Sequence, residues 1–138
     1  MELDVIDHFG ILTDDADEAM SFFTDHGAPV VYDERNEEHN TRVTFVDVGG
    51  MYFEFLQPYG EGMVMDDYEK YGPGFEHVAY RVPDIDDAVA ELRREGVTFQ
   101  SEEPRPGAGS SRIIYLDTGH TAGLEVELVE LLPADIRA

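Results

Sequence analysis

The sequence predicts an α+β fold made of two βαβββ halves, and three observations carry that expectation. The chain repeats itself: Ile6-Asp7-His8-Phe9-Gly10 lies over Phe75-Glu76-His77-Val78-Ala79 at a spacing of 69 residues, held without a gap through Asp15/Asp84, Asp17/Asp86, Ala19/Ala88 and Gly27/Gly96. A second match, at a spacing of 70, sets Val43-Thr44-Phe45-Val46-Asp47-Val48-Gly49 over Ile113-Ile114-Tyr115-Leu116-Asp117-Thr118-Gly119, and after a three-residue insertion Glu54 meets Glu127. In each half, finally, alternating apolar stretches follow one amphipathic stretch of helical period. A separate half of about 70 residues would bury too little apolar surface to stand alone. The 138 residues are therefore expected to form one domain with internal pseudo-symmetry, module 1 over about 4–58 and module 2 over about 74–131, joined by a linker at 59–73.

The elements follow in order. Strands are expected near 4–13 and 74–82, each leading through an acidic start into a helix, roughly 15–26 and 84–95. Gly27 and Gly96 close those helices, because a residue just past a helix end adopts the left-handed conformation that glycine tolerates best. Short strands near 29–33 and 97–101 precede a polar loop in each half. Longer strand pairs then follow, 41–48 with 51–58 and 111–117 with 122–130, turned by Gly49-Gly50 and by Gly119-His120-Thr121 as hairpins require. The linker has room for a short helix around Val64 to Tyr71.

Neighbouring residues of a strand point to opposite faces. Phe9, Ile11, Phe53, Phe55, Val78, Tyr80, Val126 and Leu128 form an apolar set expected to pack under the helices. The alternate set holds His8, Gly10, Tyr52, Glu54, His77, Ala79, Arg81, Glu125 and Glu127, too polar for a sealed core. It is expected to line an open cleft.

Composition narrows the setting. The net charge is −22, from 31 acidic against 9 basic residues, and Lys70 is the single lysine. Self-repulsion at that density destabilises a compact chain in dilute buffer, whereas about 1 M salt shortens the screening length to about 3 Å. That pattern suits a cytoplasmic protein of a halophilic cell. Disorder is disfavoured because the acids are spread through periodic segments alongside 8 Phe and 7 Tyr, which disordered chains lack. No basic stripe offers a nucleic-acid surface. The absence of cysteine removes disulfides, thiolate zinc sites and a cysteine nucleophile. Nor is there an apolar run long enough to cross a membrane, or a signal peptide at the acidic N-terminus.

If the two halves pack face to face, His8, Glu54, His77 and Glu127 come together as two imidazoles and two carboxylates. Such a set suits one divalent first-row ion with one or two positions left to water or substrate, and donor softness does not choose among cobalt, manganese, nickel, zinc and iron. A lone strand histidine is more often a satisfied polar residue than a ligand; four such residues at symmetry-related places favour a metal. His26 ends a helix, where a cation is favoured, while His39 and His120 fall in a loop and a turn.

These residues resemble the vicinal oxygen chelate superfamily of glyoxalases, methylmalonyl-CoA epimerases, extradiol dioxygenases and bleomycin-resistance proteins. The likeness covers nearly the whole chain and is greatest to the methylmalonyl-CoA epimerase branch. It is carried by Ile6-Asp7-His8, Phe53-Glu54-Phe55-Leu56-Gln57-Pro58, Gly74-Phe75-Glu76-His77-Val78-Ala79-Tyr80 and Gly123-Leu124-Glu125-Val126-Glu127-Leu128. Pro104-Arg105-Pro106-Gly107-Ala108-Gly109 before Arg112 also resembles that branch. The resemblance implies paired modules forming a curved mixed sheet around one metal, with His8, Glu54, His77 and Glu127 as ligands. Many epimerases carry Gln where this chain has Glu54. It also implies an acid/base glutamate on the third strand, a position that aligns with Thr44, whose hydroxyl cannot act as a general base at neutral pH.

The expected activity is that of a metal-dependent isomerase or lyase working through a metal-stabilised enediolate, with Glu127 carrying the proton. Thr44, Tyr52 and Arg81 are expected at the pocket wall. Ser110, Ser111 and Arg112 follow a glycine-bearing loop and could hold an anionic tail such as a CoA phosphate; an ordinary surface turn is the competing reading. The substrate is expected to be a small molecule such as an acyl-CoA. Three alternatives remain: a glyoxalase-like lyase, an extradiol-type dioxygenase, against which Glu54 as a fourth ligand argues, and a metal-free binding protein of the bleomycin-resistance type. A homodimer is the expected assembly.

Overall fold

A computed structural model describes all residues from Met1 to Ala138. The chain runs β1 (Ile6–Leu12), α1 (Ala16–Thr24), β2 (Val30–Asn36), β3 (Thr41–Val48), β4 (Met51–Pro58), α2 (Met63–Tyr71), β5 (Gly74–Arg81), α3 (Ile85–Arg94), β6 (Arg105–Gly107), β7 (Ser111–Tyr115) and β8 (Glu125–Leu131). Two compact units emerge, one of His8–Glu76 and one combining Met1–Asp7 with His77–Ala138. The boundary falls inside β1, so the N-terminal segment clusters with the second repeat and α2 with the first.

In the unit His8–Glu76 the strand order is β2-β3-β4-β1. β1 runs parallel to β4, with His8 opposite Tyr52 and Gly10 opposite Glu54. The other pairings are antiparallel. Helix α1 covers one face, where Ala16, Met20, Val46 and Phe55 form a buried cluster joined by Ile11, Phe23 and Phe53. In the other unit the order is β5-β8-β7-β6, with β5 parallel to β8 and Ala79 opposite Glu127. Ile85, Ala88 and Val89 of α3 are buried, as are Val78, Ile114, Val126 and Leu128. No helix is long and apolar enough to cross a membrane.

The repeat extends to the hydrogen bonds that start and stop the helices. Asp15 Oδ1 accepts from Glu18 N at 3.0 Å and Asp84 Oδ1 from Asp87 N at 3.0 Å, each satisfying one of the donors that a helix leaves open at its first turn. A second side chain, from the last strand of each repeat, accepts the first helical N–H: Gln57 Oε1 from Ala16 N at 2.7 Å, and Glu130 Oε1 from Ile85 N at 2.8 Å. Gly27 and Gly96 sit at φ +93° and +91°. Behind them Ala28 N donates to Phe23 O and Val97 N to Leu92 O, both at 3.0 Å, the closure in which a left-handed residue lets the chain turn back onto the last carbonyls.

Three expectations are corrected. The strand expected at 97–101 reduces to the single bridge Phe99↔Leu116; Thr98, Gln100 and Ser101 instead spend their groups on His120, Leu116 and Glu103. The hairpin turn expected at Gly119-His120-Thr121 is a 3-10 turn over Thr118–Thr121, closed by the left-handed Ala122 and Gly123, and it absorbs the insertion that separates the repeats. The glycine-bearing stretch before Ser111 is not all loop, since Arg105–Gly107 pairs antiparallel with Ser111–Ile113 as β6.

Candidate metal centre

Each unit holds a buried imidazole beside a carboxylate, and both pairs are built by the same construction. In the first, the side chains on the face away from α1 are His8 on β1, Val43 and Phe45 on β3, and Tyr52 and Glu54 on β4, as the register of these strands requires. His8 Nε2 lies 3.4 Å from Glu54 Oε1, and the imidazole meets the edge of Phe45 at 5.4 Å between ring centres. Tyr52 contacts Phe45 at 6.3 Å. In the second, His77 Nε2 lies 3.8 Å from Glu127 Oε2, and Tyr115 meets His77 edge-on at 5.6 Å. Phe45 and Tyr115 occupy equivalent places in the repeat. The smallest side chains, Gly10 and Ala79, stand opposite the two glutamates.

His8, Glu54, His77 and Glu127 are all nearly inaccessible, at 2%, 5%, 1% and 3% exposure. Burying a carboxylate is strongly unfavourable unless a cation or several hydrogen-bond donors compensate. An imidazole Nε2 beside a carboxylate oxygen suits a shared cation, because donors about 2.1 Å from a first-row ion lie roughly 3.0–3.5 Å from one another. The His8–Glu54 separation of 3.4 Å falls in that range and the His77–Glu127 separation of 3.8 Å lies just above it. The donor chemistry thus fits a divalent metal.

The remaining sequence-selected residues divide. Tyr52 shares the face of His8 and Glu54. Thr44 does not: it pairs across Phe55, on the α1 side, where it is fully buried and its Oγ1 has no hydrogen-bond partner. Site-face position 43 on the same strand is a valine. Arg81 donates to Asp7 Oδ1 from Nε at 3.0 Å and from Nη2 at 2.8 Å. Arg137 reaches the other oxygen of the same aspartate at 2.6 Å and is held in turn by Asp135. Burial pushes the pKa of Asp135 up, but hydrogen bonds from the Arg137 side chain and backbone, the guanidinium charge and Ser110 N together leave it below the usual carboxylate range.

Ser110, Ser111 and Arg112 are each engaged apart from one another. Ser110 N donates to Asp135 Oδ2 at 2.9 Å, Ser111 Oγ to Ala108 O at 2.8 Å, and Arg112 clasps Asp86 with contacts of 2.7 and 3.1 Å. Gly109, at φ +71°, lies so close to Asp135 that an added Cβ would come within 2.5 Å of Oδ2, so the turn is built to fit that carboxylate. Sequence reasoning missed the flanking aromatics Phe45 and Tyr115, although their equivalence at a spacing of 70 was the available signal.

A family model described as the glyoxalase/bleomycin resistance protein/dioxygenase superfamily matches residues 7–115. The chain belongs to this superfamily. Among its relatives, the mitochondrial methylmalonyl-CoA epimerase of Dictyostelium discoideum is 29% identical over 128 residues, covering 91% of this chain and 77% of the relative. The crystal structure of methylmalonyl-CoA epimerase from Mycobacterium tuberculosis superposes with a TM-score of 0.84 at 32% identity, over 94% of this chain and 89% of that one. A Streptomyces coelicolor methylmalonyl-CoA epimerase variant in complex with 2-nitronate-propionyl-CoA matches at TM-score 0.84 and 32% identity, over 97% and 99% of the two chains. The superfamily member described here therefore has the α+β fold of paired βαβββ modules that the internal repeat predicts.

Proposed function

We propose that the protein is a metal-dependent epimerase of a carboxyacyl-CoA thioester, methylmalonyl-CoA or a near analogue. The observation that carries this reading is the duplicated buried pair, His8 with Glu54 and His77 with Glu127, in a chain about 30% identical to methylmalonyl-CoA epimerases. His8, His77 and Glu127 form a set that could hold a metal ion, and Glu54 would complete it. When bound, the ion would supply Lewis-acid stabilisation of negative charge developing on the substrate oxygens. Glu127 would accept the proton from the carbon between the two carbonyl groups, the electron pair moving into the thioester carbonyl to give an enolate. Reprotonation of the carbon from the opposite face by a water molecule would invert the centre, the proton held by Glu127 passing to solvent. Neither Val43 nor Thr44 on β3 can act as an acid or base, which favours a single protein carboxylate and a proton that exchanges with solvent. Tyr52 and Phe45 would wall the pocket and limit water.

The charge of −22 supports work in the concentrated salt of a halophilic cytoplasm, where self-repulsion is screened. The test of function begins with elemental analysis of protein purified without a histidine tag in high KCl. About one divalent ion per chain is expected, reduced in both His8→Ala and Glu127→Ala. Incubation of methylmalonyl-CoA in D2O should then incorporate deuterium at the α-carbon with the wild type and not with Glu127→Gln. An apoprotein that takes up no metal on reconstitution would overturn the reading.

A further inference from the structure

Four of the nine basic side chains of this acidic protein are arginines clasped by aspartates. Arg42 contacts Asp17 and Asp33, Arg81 contacts Asp7, Arg112 contacts Asp86, and Arg137 contacts Asp7 and Asp135. Arg105 stands apart. It is half-buried on the edge strand β6, has no ion pair, and places its guanidinium carbon 5.8 Å from the ring centre of Tyr115.

Register sets Arg105 on the ligand-bearing face. Arg105 lies opposite Ile113, Ile113 opposite Val129 and Tyr115 opposite Glu127, and residues directly opposite in a sheet project from the same side. Tyr115 in turn rests its ring edge against His77. One aromatic ring thus links the guanidinium to the histidine of this half-site. Pro104 and Pro106 flank the arginine, and a residue before proline is confined to extended backbone, so little freedom is lost when a ligand is held there.

The repeat supplies a contrast. The equivalent edge position of the first half is Glu34, opposite Val43, the counterpart of Ile113. The structural pairs are kept across the duplication, as in Asp15/Asp84, Gln57/Glu130 and Arg42/Arg112, whereas this position reverses its charge. A half-buried guanidinium left without a carboxylate, in a chain with 31 acidic residues, is poised for an anion brought from outside.

Resting on the acyl-CoA reading above, we propose that Arg105 binds an anionic oxygen group of the substrate over the face of Tyr115 and thereby sets specificity for a charged thioester. Such a group is either the free carboxylate of the acyl part or a phosphate of CoA. Calorimetric titration of metal-reconstituted wild type, Arg105→Met and Arg105→Lys with methylmalonyl-CoA, propionyl-CoA and the methylmalonyl thioester of N-acetylcysteamine separates these sources. Arg105→Met should weaken methylmalonyl-CoA binding by roughly ten- to a hundredfold, the range for losing a charge-assisted bidentate contact, at an unchanged melting temperature. Arg105→Lys should recover part of the loss, since lysine restores charge without the planar fork. A loss shared by the two methylmalonyl thioesters but absent with propionyl-CoA assigns the carboxylate; a loss shared by the two CoA thioesters but absent with the N-acetylcysteamine compound assigns the phosphate. Wild-type affinity of Arg105→Met for all three would overturn the role of Arg105 while leaving the function standing. Failure of the wild type to bind any of them would overturn the acyl-CoA reading and this inference together.

Discussion

Arg112 grips Asp86 at 2.7 and 3.1 Å, and its counterpart Arg42 grips Asp17 at 3.0 Å. In both halves, therefore, an arginine of the third long strand ties down the first turn of the helix. A device that recurs in both repeats is more simply structural than substrate-binding. Arg112→Ala is expected to leave the KM for an acyl-CoA unchanged and to lower the melting temperature slightly, an effect that fades in high salt because the pair is partly exposed. A raised KM at unchanged stability would return Arg112 to the anion site.

Thr44 gives a prediction of opposite sign. Its hydroxyl is wholly buried on the helix side of β3 without a hydrogen-bond partner, and such a group costs about 1–3 kcal/mol. Thr44→Val keeps the shape and removes the polar atom. The variant should gain about 1 kcal/mol in denaturant unfolding and keep full activity. Lost activity would mean that the hydroxyl reaches substrate.

These two residues show where the sequence was legible. The repeat predicted that His8 lies beside Glu54 and His77 beside Glu127, because a two-residue period puts each pair on one face once the strands are identified. It also predicted the acidic starts of both helices and the left-handed Gly27 and Gly96 that close them. Thr44 was expected at the pocket wall, but it pairs across Phe55 on the helix side, because successive residues of a strand point to opposite faces. Ser110, Ser111 and Arg112 were grouped by their proximity to glycines, but Asp135 and Asp86, which engage Ser110 and Arg112, lie 25 and 26 residues away, where no local pattern reaches. The edge strand β6 was hidden by Pro106 within it and Pro104 just before it, since strands exclude proline except at edges.

Asp135 links stability to pH. Its folded pKa is held below the usual carboxylate range by Arg137 against the opposing effect of burial, so the ionised form is favoured by folding. The resulting stability is fully present above the unfolded value near 3.9 and is lost as pH falls through the lower folded value. Asp135→Asn should destabilise by roughly 3 kcal/mol at pH 7, as expected when one member of a buried ion network is removed. In denaturant titrations across pH, the gap between wild type and variant should narrow below about pH 4. A gap constant down to pH 2 would show that Asp135 acts through packing rather than charge.

Ionic strength should act on the whole molecule. Two effects of salt oppose each other: screening weakens attractive surface pairs such as Arg42–Asp33 and Arg112–Asp86, and it weakens repulsion among 31 acids facing 9 bases. Exposed pairs contribute at most about 1 kcal/mol each, and the few arginines allow only a few of them, whereas every surplus carboxylate repels its neighbours. Repulsion should therefore dominate. Because the screening length falls from about 10 Å at 0.1 M to about 3 Å at 1 M, most of the stabilisation should be gained over that interval. Thermal melts in KCl should show the midpoint rising steeply to about 1 M and more slowly beyond, with hydration of the carboxylate surface accounting for the later gain. Replacing exposed acids that lack an arginine partner, for example Glu102→Gln with Glu103→Gln, should raise the midpoint at low salt and leave it nearly unchanged at 1 M. A midpoint independent of KCl would show that the acidic surface is not what couples this fold to salt.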